Sequence, residues 1–166
     1  QEQLKLKEKK TRRIENMMKA RQRIEEIAEQ TIESEHPRLL YYHWTRNLNE
    51  QALEKFLALE GTNELETPES QYELATYYIK RDQSKTLQLL FHALELHELD
   101  NQINVEIFKS LSSIFADKKQ PKQSYIWLRV LQLYIPDDPS LSQKTLDSYV
   151  ELNKLDVNFL DKVAET

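Results

Sequence analysis

The chain has 166 residues, one glycine, five prolines, no cysteine and a formal net charge of −5. A single glycine excludes glycine-rich phosphate-binding loops, dinucleotide-binding turns and nucleophile elbows. The lack of cysteine excludes disulfides, thiolate zinc sites and iron–sulfur clusters, and the negative charge gives no general attraction to nucleic acid. The composition therefore favours a non-catalytic interaction or scaffold protein without a cofactor.

The residue types favour an all-α fold. Leucine occurs 25 times, against 15 for valine and isoleucine together, and leucine suits helices whereas β-branched residues suit strands. One glycine also leaves few residues for the primed turns of β-hairpins.

Residues 1–34 predict one long helix, because they contain no proline or glycine and their apolar residues recur at steps of three and four. Residues 1–23 carry nine Lys or Arg and three Glu, a local charge of +6, which leaves −11 for the remainder. The apolar stripe consists of Ile14, Met17, Met18, Ile24, Ile27, Ala28 and Ile32.

Three interpretations of this helix stay open at the level of sequence. It is a solvated helix that covers the end of the following repeats, a self-association seam, or a contact with anionic lipid or nucleic acid, which salt would weaken. The seam residues are Ile14, Met17, Ile24 and Ile27. The basic residues of the third interpretation are Lys5, Lys7, Lys9, Lys10, Arg12 and Arg13.

Residues 35–166 form the second part of what we expect to be one structural domain. Four prolines stand where helices begin, and Gly61 stands where a helix ends. The connections are short, which favours antiparallel neighbours. The predicted helices are 37–46, 50–60, 68–81, 84–99, 103–117, 121–135, 139–153 and 156–165.

These helices resemble tetratricopeptide repeats. Three of the second helices share a +4, +3 spacing of residues, as in Leu87, Phe91 and Leu94, and small residues stand at Ala75 and Ser112, where two helices would approach closely. The resemblance implies that the eight helices stack as four helical hairpins after the long N-terminal helix, in an α-solenoid with a concave face. A compact bundle of the same helices in another order is the alternative.

The repeat register implies a candidate binding surface on the concave face. The surface has mixed charge and an aromatic end, which suits an extended peptide or another protein's helix, and its few basic residues argue against nucleic acid. Its residues are Tyr41, Trp44, Glu69, Glu73, Thr76, Lys80, Glu106, Lys109 and Ser113.

Four segments resemble an uncharacterised family of gammaproteobacterial envelope lipoproteins, a domain of unknown function, most clearly over residues 37–100. They are residues 40–44 (LYYHW), 56–62 (FLALEGT), 65–69 (LETPE) and 71–78 (QYELATYY). The resemblance implies the periplasmic side of the cell envelope and a lipid anchor upstream of Gln1. It implies no activity and no catalytic residues, and a cytoplasmic location is the alternative.

Neither the histidines nor the carboxylates form a recognisable catalytic or metal-binding pattern. No two histidines are four residues apart, so we expect surface or partly packed side chains, with His36 at a helix start before Pro37. Neighbouring carboxylates are expected on so charged a surface. We therefore predict no metal site and no enzyme. The alternatives are a homo-oligomeric structural protein that assembles through the N-terminal helix and a small-molecule hydrolase with an acidic site.

Overall fold

A computed structural model of the chain describes residues 1–99 and 101–166. These described residues form nine α-helices and two short 3₁₀ turns and no strand, which confirms the all-α prediction. None of the described helices has the length and apolar character needed to cross a bilayer. The helices are α1 Glu2–Thr31, α2 Pro37–Asn47, α3 Glu50–Ala58, α4 Pro68–Tyr78, α5 Gln83–Glu95, α6 Glu106–Asp117, α7 Pro121–Tyr134, α8 Gln143–Asn153 and α9 Val157–Glu165.

Local capping explains why most helices begin where the sequence predicts. The side chains of Asn49, Thr67 and Asp82 each accept a hydrogen bond from a backbone N–H in the first turn of α3, α4 and α5. Each cap satisfies one of the N–H groups that lack a partner at a helix start. Pro68 and Pro121 occupy the first helical positions of α4 and α7, where a missing N–H costs nothing.

Several predicted boundaries differ from the structure. The predicted helix 139–153 starts as the 3₁₀ turn Pro139–Leu141, and α8 begins only after Ser142, whose hydroxyl caps it. The predicted helix 84–99 ends earlier, because α5 ends at Glu95. The predicted helix 103–117 begins later, because the Asn104 side chain accepts a hydrogen bond from the Glu106 N–H and caps the start of α6. In α8 and in α6, a polar capping residue inside the predicted range makes the helix begin later than predicted.

The first compact unit, Gln1–Leu65, contains α1, α2 and α3. Its α2 and α3 form a packed pair, and its buried apolar side chains are Leu40, Ala52, Phe56 and Leu65. The helix α1 has no buried residue, and Met17 in its apolar stripe is 71% exposed. The stripe is therefore not packed against α2 or α3, unlike in the covering-helix interpretation.

The second compact unit, Glu66–Thr166, contains α4 to α9 and two hydrophobic clusters that meet on α6. The first cluster joins α4, α5 and α6 through residues such as Ala75, Ala93 and Leu111. The second joins α6 to α7, α8 and α9 through residues such as Phe108 and Leu160. Because α6 contributes to both clusters, it connects the two halves of this unit.

The helices of the second unit pack in pairs over most of its length. The helix α4 packs on α5 and α6 packs on α7, as the hairpin prediction requires. The small residue Ser112 lets α6 approach α7 closely, since its hydroxyl lies 3.1 Å from that of Ser124 and 3.2 Å from the Ser124 carbonyl oxygen. The predicted fourth hairpin is wrong, because α8 and α9 make few contacts with each other and both pack on α7.

Candidate functional site

A cleft of about 380 Å³ lies in the second unit where the start of α4, the end of α5 and the segment before α6 meet. Its floor includes Ala93 and Ile107, which are almost fully buried. Among the described residues, three carboxylates, one imidazole and three amides line it, and no Lys or Arg does. These polar residues are Glu66, Glu69, Glu98, His97, Asn101, Gln102 and Asn104.

Local sequence rules position the walls of this cleft. Thr67 caps α4 by accepting from the Ser70 N–H at 3.1 Å, which holds the Thr67–Glu69 turn in place. The amide of Asn104 does the same for α6, with its oxygen 3.1 Å from the Glu106 nitrogen. The three Glu residues give the cleft a negative potential, so it favours a cationic group.

One edge of the cleft is held by a histidine between two carboxylates. His92 Nε2 lies 2.7 Å from Glu66 Oε2, and His92 Nδ1 lies 3.2 Å from Glu95 Oε2. The hydrogen bond to Glu66, followed by the one to Glu95, raises the pKa of His92. Glu66 thus lines the cleft and is tied to α5. The His92–Glu95 spacing of three residues was visible in the sequence, whereas the Glu66 contact is long-range.

The predicted aromatic residues Tyr41 and Trp44 lie in the first unit and pack against a buried phenylalanine. Their ring centroids are 6.1 and 6.2 Å from that of Phe56, and 5.5 Å from each other in an edge-to-face arrangement. Phe56 is fully buried, and the two predicted residues are half-buried. Both rings therefore contribute to the packing of α2 on α3 and still expose part of their surface.

The expectation of surface or partly packed histidines is wrong for His43, which is 1% exposed. Thr31 donates its hydroxyl proton to the Ile27 carbonyl at 2.8 Å, so it accepts from His43 Nε2 at 3.0 Å. His43 Nδ1 accepts from the Asn47 amide at 3.0 Å. Both ring nitrogens are therefore used in a structural contact that ties α1 to α2. The Asn47 at i+4 was the only local signal for this contact.

The remaining predicted site residues lie on α4, on α6 and in the turn after α4. Glu69 lines the acidic cleft, and Lys109 forms an ion pair with Glu106 at 2.8 Å on α6. Thr76 lines a narrow crevice of about 10 Å³ between α4 and Ser110 of α6. In the predicted set, Glu73 is half-buried, and Lys80 and Ser113 are exposed.

Across residues 1–99 and 101–166, no group of three or more His, Asp or Glu side chains is arranged to hold a metal ion. The carboxylates of the cleft belong to exposed residues. What the arrangement offers is therefore charge and hydrogen bonding at an open surface, with amide donors and acceptors beside carboxylates.

The fold and cleft define an all-helical protein of packed helix pairs with an acidic surface cleft. Residues 2–129 match a family described as "Protein of unknown function (DUF2989)". The chain belongs to this family, which confirms the expected membership of an uncharacterised family. The match extends from α1 into α7. No curated protein and no solved structure gives a significant match. The lipid anchor, the bacterial source and the tetratricopeptide register stay predictions.

Proposed function

We propose that the chain is a non-catalytic module of the bacterial cell envelope that binds a protein or peptide segment. The acidic cleft carries this proposal, because it joins an apolar floor to a polar rim on one face of packed helix pairs. Such concave sites with a few convergent polar groups are the usual binding surfaces of helical proteins.

The chemistry of the lining favours a basic segment. The amides of Asn101, Gln102 and Asn104 supply donors and acceptors that suit the main chain of an extended peptide. Glu69 and Glu98 supply negative charge for a Lys or Arg side chain. The apolar floor accommodates the aliphatic stem of such a side chain.

The cell-envelope location is supported by the resemblance of four segments, including residues 40–44 and 71–78, to envelope lipoproteins. The periplasmic side and a lipid anchor upstream of Gln1 belong to this part of the proposal. The half-buried rings of Tyr41 and Trp44 supply an additional candidate surface in the first unit.

A small-molecule hydrolase has less support, because the cleft carboxylates are exposed rather than held in a dry site. A homo-oligomeric structural protein has one observation in its favour, the exposed stripe of Ile14, Met17, Ile24 and Ile27 on α1.

The proposal is tested with fluorescent 12-residue peptides of basic, neutral and acidic composition, titrated with the full chain and followed by anisotropy. We expect the basic peptides to bind most tightly. The variant Glu69→Gln/Glu98→Gln should weaken this binding about 3-fold to 30-fold, at roughly 0.3–1 kcal/mol per exposed carboxylate.

The matched control is Glu151→Gln/Glu165→Gln, which removes the same charge from exposed positions on α8 and α9. Equal weakening by both pairs would mean that net charge, and not the cleft, attracts the peptide. If only the cleft variant weakens binding, crosslinked capture from an envelope extract identifies the natural partner. The native chain and the two variants serve as baits, and the partner should be lost only with the cleft variant.

A further inference from the structure

The helix α1 carries a basic and apolar face along almost its full length. Residues that are seven positions apart lie almost above one another on a helix and form a row along it. Four adjacent rows, taken between residues 3 and 28, make up this face. They contain six Lys or Arg and no Asp or Glu. The basic residues are Lys7, Lys9, Lys10, Arg13, Arg21 and Arg23.

The apolar residues of α1 lie between these basic residues and are open to solvent. Met17 is 71% exposed, Ile24 is 54% exposed and Ile14 is 49% exposed. The row on the opposite side of the helix holds the acids Glu8, Glu15 and Glu29. The acids of α1 between residues 3 and 28 are therefore kept off the basic and apolar face.

We propose that α1 binds lengthwise to the anionic phospholipid surface of a membrane. A helix in this position places its apolar side chains at the boundary of headgroups and acyl chains, and its Lys and Arg side chains beside the phosphates. About 26 residues at 1.5 Å each give a contact about 39 Å long. A helix with one basic and apolar face can contact a flat anionic surface along this length.

The charge pattern favours a membrane over a second copy of the chain. Pairing two of these faces brings Lys and Arg side chains together in either orientation, because the acids between residues 3 and 28 lie outside the four rows. Within the described residues, Arg21 of this face forms an exposed ion pair with Glu25 of the adjacent row, at 3.4 Å. Nucleic acid would use the basic residues and leave Met17 and Ile24 without a role.

The test is flotation of the full chain with vesicles of phosphatidylcholine alone or with 30% phosphatidylglycerol. We expect binding only to the anionic vesicles and release as sodium chloride rises from 50 to 500 mM, because salt screens the attraction. The variant Met17→Ser/Ile24→Ser should weaken binding at least ten-fold at unchanged net charge.

A matched pair of charge variants tests the face itself. Lys7→Gln/Lys10→Gln/Arg13→Gln removes three charges from the face, and Lys5→Gln/Arg12→Gln/Lys19→Gln removes three from a neighbouring row. At about 1 kcal/mol per basic residue near the surface, the first variant should bind on the order of 100-fold more weakly. The second should stay within about three-fold of the unaltered chain. Circular dichroism shows that each variant keeps its helix content.

Three results would overturn the proposal. An equal loss of vesicle binding in the two charge variants would show that net charge, and not this face, attracts the membrane. A dimer in light scattering that Met17→Ser/Ile24→Ser dissociates would assign the face to a second copy. Tighter binding to duplex DNA than to anionic vesicles would assign it to nucleic acid. Binding of basic peptides to the cleft is measured on the same variants, so failure of one proposal leaves the other distinguishable.

Discussion

Tyr125 of α7 donates a hydrogen bond from its hydroxyl to Oδ1 of Asp161 on α9, at 2.6 Å. Tyr125 is 3% exposed. The Nε atom of Arg129 lies 3.6 Å from the same oxygen of Asp161. This contact ties the last helix to the body of the second unit, across 36 residues of sequence. A hydrogen bond between a buried hydroxyl and a carboxylate is among the stronger ones.

We expect Tyr125→Phe to lower the free energy of unfolding of the second unit by about 1.5–3 kcal/mol, the range for a hydrogen bond to a charged group. Urea denaturation measures this through Trp127 in a Trp44→Phe background, since each unit contains one tryptophan. Tyr149→Phe is the control, because Tyr149 packs on the same cluster. An equal loss of unfolding free energy in Tyr125→Phe and Tyr149→Phe would show that the hydrogen bond to Asp161 is not the cause.

Alkaline pH should destabilise the second unit through the same residue. Burial, followed by the hydrogen bond to Asp161, raises the pKa of Tyr125 well above its ordinary value of 10.0. The native state therefore holds this proton more tightly than the unfolded state, so the stabilisation is complete below pH 10 and is lost as pH rises further. In a titration at 295 nm, one tyrosine should ionise only as the unit unfolds. Tyr125→Phe should abolish that late step; if it persists, another tyrosine is responsible.

The pair of Glu66 and His92 should make a small, pH-dependent contribution to stability. The pKa of His92 is raised by its hydrogen bonds to Glu66 and Glu95, so the stabilisation is complete below about pH 6.5 and is lost as pH rises through the raised native value. Because both partners are more than a third exposed, we expect less than about 1 kcal/mol. His92→Gln should remove the difference in thermal midpoint between pH 5.5 and pH 8, whereas His97→Gln should retain it.

The buried His43 should control how firmly α1 is attached to α2. Thr31→Val leaves the His43 Nε2 proton without its acceptor, which costs about 1–3 kcal/mol for a buried polar group. We expect faster hydrogen exchange at the C-terminal end of α1 and faster tryptic cleavage at Arg21 and Arg23. Thr11→Val is the control, because Thr11 bonds only to the Lys7 carbonyl within the exposed helix. Unchanged exchange in Thr31→Val would show that other contacts hold the helix.

The starts of most helices could be read from sequence because they depend on residues a few positions apart. Thr67 and Ser70, or Asn49 and Ala52, meet through backbone geometry alone. The role of Ser112 as a small residue between two helices was also predictable, because helix spacing depends on side-chain size. The start of α8 was missed because Ser142 competes as a cap with Asp138.

The acidic cleft was only partly predictable. Glu69 was in the predicted set, but its neighbours Glu98 and Asn101 come from the segment that follows α5. Their proximity depends on how α5 packs against α4 and α6, and no local pattern encodes that packing. The aromatic pair Tyr41 and Trp44 was identified as informative, yet its contact with Phe56 depends on the pairing of α2 with α3.

The sequence by itself determined the helical class, the approximate helix boundaries and the distribution of charge on α1, because each follows from residue type and spacing within a few turns. Only the tertiary structure decided that His43 is buried between Thr31 and Asn47, that Glu66 meets His92, and that α9 packs on α7 through Asp161. Except for the bond between His43 and Asn47, these contacts join residues that are at least 12 positions apart in the chain. They form because burying apolar helix faces brings whole helices together, and the polar partners then follow from that packing.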